Sequence, residues 1–127
     1  MSSKYLNKKV VVDGIEFASK KEAKRYIALS NDKTVTDLQL QVRYELIPAQ
    51  REASTEVYKK GAKKGLPKEG KVIEQSCFYV ADFVYKKDGK TIVEDIKSGY
   101  RRGGAYAVFT IKRKLMLEKY GIRVVEV

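Results

Sequence analysis

The cleanest alternation of apolar and polar positions lies in "VTDLQLQVRYEL", where Leu38, Leu40, Val42, Tyr44 and Leu46 recur at every second residue. Side chains two apart share one face of a strand, so this run predicts a half-buried strand. Upstream, "VVVDGIEF" (Val10 to Phe17) is a short apolar run broken by Asp-Gly, which marks a small hairpin. Between the two, "ASKKEAKRYIALSN" changes period. Ala23, Tyr26, Ile27 and Ser30 fall on one stripe at helical spacing, which predicts a helix from about Ser19 to Asn31.

From Pro48 to Lys71 the periodicity disappears, and Gly61, Gly65, Pro67 and Gly70 mark a mobile loop. Alternation returns in a hairpin with strands Ile73 to Tyr85 and Thr91 to Lys97 around Asp88-Gly89. In "AYAVFTIKRKLMLEKYG", Val108, Ile111, Leu115 and Tyr120 lie near one stripe and Gly121 stands where a C′ residue belongs, which predicts a second helix. A short strand in "IRVVEV" follows. The order helix, strand, strand, strand, helix, strand after an N-terminal hairpin predicts one α/β (α+β) domain over 1–127, with a mixed central sheet flanked by helices and a basic loop over 48–71.

Charge and residue types then narrow the chemistry. The 127 residues hold 27 Lys and Arg against 16 Asp and Glu, a net charge of +11 with pI near 9.7, so nucleic acid is the leading partner. A membrane surface ranks below it, for want of a long apolar run or a basic amphipathic helix with large apolar residues opposite. "MSSKYLNKKVVV" lacks a signal-peptide apolar core, which places the protein in the cytoplasm. With no histidine, Ser-His-Asp triads, imidazole acid–base pairs and the usual zinc sites are excluded. The lone Cys77, without an imidazole to activate it, reads as a packed strand thiol. Any catalysis must rest on carboxylates and lysines.

The hairpin supplies both. With Asp88-Gly89 as a two-residue turn, Lys87 pairs with Lys90, Tyr85 with Ile92 and Phe83 with Glu94, which sets Asp82 opposite Asp95 on one face with Lys97 diagonally across. Directly opposed like charges on a sheet cost up to about 1 kcal/mol, so the pair requires a counter-charge. Lys97 supplies part of it, and an Mg²⁺ or Mn²⁺ ion on oxygen ligands would supply the rest. The same spacing also fits an exposed face with an ordinary ion pair. Glu94 belongs to the other face with Ile92 and Ile96 and reads as a surface or helix-facing carboxylate.

Asp82 followed at hairpin distance by "VEDIK", with Asp95 and Lys97, resembles the PD-(D/E)XK signature of restriction-endonuclease-like nucleases, with Ala81 in place of the proline. The order αβββαβ is similar to the core of that superfamily. "SKKEAKRY", "LQVRYEL", "YVADFVY", "VEDIK" and "GIRVVEV" together resemble small phage-encoded endonuclease-like proteins, similar in plan to phage endonuclease I and archaeal Holliday-junction resolvases. The resemblance implies a metal-dependent endonuclease on double-stranded or branched DNA, acting in phage recombination, replication or packaging, and cutting two strands symmetrically would favour a homodimer.

By that resemblance Asp82, Asp95, the Ile96 carbonyl and Glu22 would hold Mg²⁺ or Mn²⁺, and Lys97 would orient or deprotonate water or stabilise charge at phosphorus. Glu22 has a second reading, since Ser19-Lys20-Lys21-Glu22 is also a capping box. Candidate DNA contacts are Arg101 and Arg102 after the active strand, Lys112, Arg113 and Lys114 on the second helix, and Lys59, Lys60, Lys63 and Lys64 of the loop. A non-catalytic basic binding module on the same scaffold is the alternative function.

Overall fold

The computed structural model describes residues 9–97 and 102–127. Its elements are β1 (Val10–Val12), β2 (Ile15–Phe17), α1 (Lys20–Asn31), β3 (Val35–Ile47), β4 (Gln50–Arg51), β5 (Val72–Glu74), β6 (Cys77–Lys87), β7 (Lys90–Asp95), α2 (Gly103–Tyr120) and β8 (Val125–Glu126). A four-stranded sheet in the order β3-β6-β7-β8 forms the centre, antiparallel except for the parallel β7–β8 pair. The protein is therefore α+β with a mixed central sheet and two helices. Two small ribbons, β1–β2 and β4–β5, stand outside that sheet.

Each helix covers one apolar cluster. Phe109 and Met116 of α2 pack with Leu46, Tyr79, Ala81, Val84, Val93 and Val124. Ala23 and Leu29 of α1 pack with Phe17, Phe83 and Tyr85. On α1 the buried stripe runs through Ala23, Tyr26 and Leu29, whereas Ile27 and Ser30 of the expected stripe face outward. The α2 expectation is corrected further: Val108, Ile111 and Tyr120 are exposed, and the buried side carries Phe109 and Met116 with Tyr106 and Leu115 packed beside them. Apolar residues occupy most of that helix's circumference, so periodicity alone could not choose the face.

The Asp-Gly turn sets the hairpin register as expected. Asp88 and Gly89 take φ of 52° and 74°, as a type I′ turn demands, and Lys87 pairs with Lys90, Tyr85 with Ile92, and Phe83 with Glu94. The first strand is shorter than expected. Ile73 belongs to β5 and β6 begins only at Cys77, because the chain leaves one sheet and enters another between Glu74 and Cys77.

The 48–71 segment is likewise a built structure rather than a structureless loop. Arg51 pairs with Val72, Val57 bridges Pro67, and backbone bonds join Glu52 to Lys71, Lys68 to Glu56, and Tyr58 to Leu66. Backbone hydrogen bonding with little apolar alternation makes this arm, which explains why its sequence carries no strand signal.

Candidate active site

Asp82 sits where two strands change face. On β3, Leu38 and Leu40 pack in the α1-side core, whereas Val42, Tyr44 and Leu46 belong with the α2-side core. On β6, Tyr79 and Ala81 lie on the α2 side and Phe83 and Tyr85 on the α1 side. Residues two apart normally share a face, so both strands switch between Leu40 and Val42 and between Ala81 and Phe83. The residues at the switch are Gln41, which adopts a left-handed φ of 53°, and Asp82. Leu40 pairs with Phe83 and Val42 with Ala81, which places Gln41 across from Asp82, and Gln41 Nε2 donates to Asp82 Oδ1 at 3.2 Å.

Asp82 is held from the other side as well. The Ile96 N–H donates to Asp82 Oδ2 at 2.8 Å. Continued by one pair, the β6–β7 register sets Asp82 across from Asp95, as the turn chemistry predicts. Burial pushes the Asp82 carboxyl up to about 6, with the Asp95 and Glu22 charges adding to it and the bonds from Ile96 and Gln41 opposing it.

Asp95 is 7 % exposed and pairs with the Lys97 ammonium, which lies 3.5 Å from the centre of the Phe109 ring on α2. Beyond β7 the pairing with the last strand continues, because the Lys97 N–H donates to the Val127 carbonyl and the Val127 N–H to the Asp95 carbonyl, each at 2.9 Å. The Lys21 ammonium donates to the Lys97 carbonyl and so ties the first turn of α1 to this strand end.

Glu22 comes from that first turn. Its own N–H donates to Ser19 Oγ at 3.2 Å, so Ser19 caps the helix. Its side chain lines an open pocket of about 340 Å³ together with Asp82, Gln41, Leu40, Phe17 and Ala18. Burial raises the Glu22 carboxyl, a backbone bond from Ala18 lowers it, and the Asp95 charge raises it again. Cap and cluster member are therefore both true of this turn.

Three carboxylates from three elements thus share one electrostatic neighbourhood beside one ammonium. The pair does not stand side by side on a single face as ideal alternation predicts. Asp82 lines the pocket with Phe17 and Leu40 of the α1 side, whereas the Asp95–Lys97 pair lies against Phe109 of the α2 side. Among the described residues, no group of three or more His, Cys, Asp or Glu is closed to metal-holding spacing. The donors present are all hard carboxylate oxygens, which by type suit Mg²⁺ or Mn²⁺ and not a thiophilic ion.

Glu94, next to Asp95, goes the other way and is 1 % exposed. Arg25 of α1 grips it bidentately, Nε to Oε1 at 2.8 Å and a terminal nitrogen to Oε2 at 2.5 Å, and the Tyr85 hydroxyl donates to Oε2. Glu94 is thus the helix-facing carboxylate of the two options its register left open. The bond to Glu94 raises the Arg25 pKa, and Tyr85 is pushed up to about 12, first by burial and then by its bond to Glu94.

The candidate DNA contacts separate into two groups. Lys59, Lys60, Lys63, Lys64 and Lys114 are exposed and Lys112 is half-buried, whereas Arg113 is paired with Glu126 at 3.1 Å, an acid that also accepts from the Tyr106 hydroxyl at 2.8 Å. Arg102 is exposed at the N-cap position of α2, and Arg101 lies outside the described residues. Cys77 is half-buried against the α2-side core, as a packed thiol should be.

Sequence reasoning missed Gln41, Tyr79 and Arg25. Gln41 falls on the polar face of an alternating strand and reads as solvent-facing. Tyr79 reads as core, yet its buried hydroxyl makes no hydrogen bond of ordinary geometry among the described residues and is driven up in pKa by burial and by Asp95 and Asp82. Arg25 was findable, since a buried Glu94 demands a cation from whichever helix covers that face.

Fold and site together define a class: a small α+β domain with a carboxylate–lysine cluster where the first helix meets the central hairpin. The chain belongs to the family described as "Protein of unknown function (DUF1064)", which matches residues 2–125. No curated protein and no solved structure matches it.

Proposed function

We propose that the protein is a metal-dependent DNA endonuclease that hydrolyses phosphodiester bonds in double-stranded or branched DNA. The observation that carries this reading is the convergence of Glu22, Asp82 and Asp95 from three elements beside Lys97, with Asp82 pushed up to about 6. A carboxyl left partly unneutralised at an open pocket is costly to the fold, and such costs gather where chemistry is done. Support also comes from the net charge of +11, suited to a polyanion, and from the resemblance of the Asp82, Asp95, Lys97 pattern to PD-(D/E)XK nucleases.

Asp82, Asp95, Glu22 and the Ile96 carbonyl would hold Mg²⁺ or Mn²⁺, which when bound polarises a phosphoryl oxygen and lowers the pKa of water. Lys97 carries a positive charge at the edge of that cluster, suited to a non-bridging phosphate oxygen or to orienting the attacking water. Gln41 and the Ile96 N–H fix the Asp82 carboxylate, so its lone pairs keep one direction. Among the described residues no helix is long and apolar enough to cross a membrane. In this reading the protein works in the cytoplasm of a phage-infected or prophage-bearing cell, and a homodimer would serve to cut two strands.

One observation favours a second reading. Asp95 is already paired with Lys97, so the cluster also reads as fold chemistry in a non-catalytic DNA-binding module. A cleavage assay on labelled four-way junction, flap, linear duplex and single-stranded DNA with Mg²⁺, Mn²⁺ or EDTA separates the two. We expect metal-dependent cutting that Asp82→Ala and Asp95→Ala each abolish while DNA binding persists. Full activity in both variants removes this site, and binding without cutting under every condition leaves the binding module.

A further inference from the structure

The 50–74 arm segregates its charge along its length. At its root, Glu69 pairs with Arg51 at 3.5 Å and Glu56 with Lys68 at 3.8 Å. Beyond Glu56 the run Val57 to Lys68 contains Lys59, Lys60, Lys63, Lys64 and Lys68 and no acidic residue. Carboxylates are confined to the base and lysines crowd the tip. Mutual repulsion of that kind is unfavourable unless a polyanion relieves it.

The tip is nonetheless ordered by its own backbone. The Tyr58 N–H donates to the Leu66 carbonyl at 3.0 Å and the Gly65 N–H to the Tyr58 carbonyl at 2.8 Å. Inside that frame the Lys64 N–H donates to Gly61 and the Leu66 N–H to Lys63. Gly61 and Gly65, at φ of 81° and 85°, supply the left-handed turns that a side chain would resist. The Lys63 and Lys68 ammoniums flank the Tyr58 ring at 5.6 and 5.7 Å. Beside these lysines Leu66 is 54 % exposed, next to Pro67.

We propose that this arm grips duplex DNA by entering the minor groove, with its lysines on the two backbones and Leu66 set against a base step. Two-stranded ribbons enter the minor as well as the major groove of a duplex, and the narrow minor groove admits one when the duplex kinks away from it. Arg, Asn, Gln, Asp and Glu, the side chains best suited to reading base edges, are all missing from Val57 to Lys68. What remains is point charge for phosphates and an apolar wedge, the pair of features that binds bendable duplex and not a particular sequence. B-form DNA is preferred over A-form RNA, whose minor groove is wide and shallow.

The arm's root joins the strand that carries Asp82. It joins the sheet at the start of β6, and Asp82 is five residues along that strand from Cys77, about 17 Å at the usual rise. β7 is antiparallel to β6, so Lys97 follows β7 at the end of the sheet where β6 begins. One turn of duplex, about 34 Å, is longer than the span from the arm's root to Asp82. The inference rests on the reading of DNA as partner but not on catalysis.

The test uses the full chain in EDTA, so that no strand is cut, with end-labelled duplexes read for binding and for end-to-end energy transfer across a series of salt concentrations. The variant with Lys59, Lys60, Lys63 and Lys64 all changed to Ala is expected to flatten the log K against log salt slope by roughly 3 to 4, at about 0.9 per lost phosphate contact. The milder Lys59→Gln, Lys60→Gln double variant should flatten it by roughly 2. Leu66→Ser should keep the wild-type slope but lose the bend. A wild-type slope in both lysine variants, an unchanged bend in Leu66→Ser, or equal bending of duplex RNA overturns the proposal. Wild-type protein that grips and bends DNA through the arm but never cuts with Mg²⁺ or Mn²⁺ sustains the arm and removes the nuclease. Metal-dependent cutting by the wild type, with a salt slope and bend that the arm variants leave unchanged, does the reverse.

Discussion

Glu94 and Asp95 are chain neighbours with opposite fates. Glu94 points toward α1, where Arg25 meets both its oxygens and Tyr85 adds a third donor. Asp95 belongs to the other face, pairs with Lys97, and leaves its charge felt by Asp82, Glu22 and Tyr79. β7 therefore carries a saturated carboxylate in Glu94 and, in Asp95, one member of an under-compensated group completed by Asp82 of β6 and Glu22 of α1. Burial alone does not tell the two apart, since Glu94 is the more buried. The count of opposing donors does, and it separates an acid that holds the fold from acids kept available for a ligand.

The strongest way to break that contrast is to strip Glu94 of its cation. Arg25→Met keeps much of the apolar length of the side chain but leaves a buried carboxylate with only Tyr85 as donor. Breaking a buried pair by removing one partner is costly because the remaining charge stays desolvated. We expect a loss of about 3 kcal/mol by denaturant unfolding at pH 7. Adding Glu94→Gln should recover most of it, because the orphan charge disappears. An Arg25→Met protein as stable as the wild type would mean that Glu94 reaches solvent and the saturated side of the contrast does not exist.

The under-compensated group predicts the opposite sign. Asp82 keeps its proton to about 6 in the folded chain, whereas an unperturbed Asp releases it near 3.9. The native state therefore binds more protons than the unfolded state between those values, and stability falls as pH rises through the window. Asp82→Asn removes the penalty. After discounting for solvent screening at this half-buried group, it should gain about 1 to 2 kcal/mol at pH 7 and nothing at pH 3.5. Millimolar Mg²⁺ or Mn²⁺ should raise the wild-type melting temperature at pH 7 and leave that of Asp82→Asn unchanged. Stability of the wild type that climbs between pH 4 and 6, with no gain in the variant, sinks the assignment of Asp82 as under-compensated.

Much of this contrast was legible in the sequence because turn chemistry is local. Asp88-Gly89 accepts the positive φ values of a type I′ turn, and once that turn is placed the pairing of Phe83 with Glu94 and the approach of Asp82 to Asp95 follow by counting. The same counting put Glu94 on the other face. The face switch at Gln41 and Asp82 was not legible, because alternation on β3 runs through Gln41 without a break. A left-handed glutamine is a tertiary outcome that no propensity announces. The buried side of α2 escaped for a different reason: Val108 and Ile111 are as apolar as Phe109 and Met116, and only the shape of the sheet chooses between them. The arm escaped because glycines and lysines bonded through their backbones leave no hydrophobic period to read.

The finest test concerns the turn where the two readings of one residue meet. Ser19 caps α1 through the Glu22 N–H, so Ser19→Ala should cost about 1 kcal/mol. Glu22→Gln is the informative partner, because Gln serves a capping box as well as Glu does. If Glu22 were only a cap, the exchange would be neutral at every pH. Because burial and the Asp95 charge raise its carboxyl, Glu22→Gln should instead gain a few tenths of a kcal/mol at pH 7, and the gain should vanish below the ordinary Glu range near 4.3. In the double variant the two effects should couple, since one residue's N–H feeds the cap while its side chain feels Asp95. A flat pH profile for Glu22→Gln would return Glu22 to the helix cap and leave Asp82 and Asp95 as the whole acidic cluster.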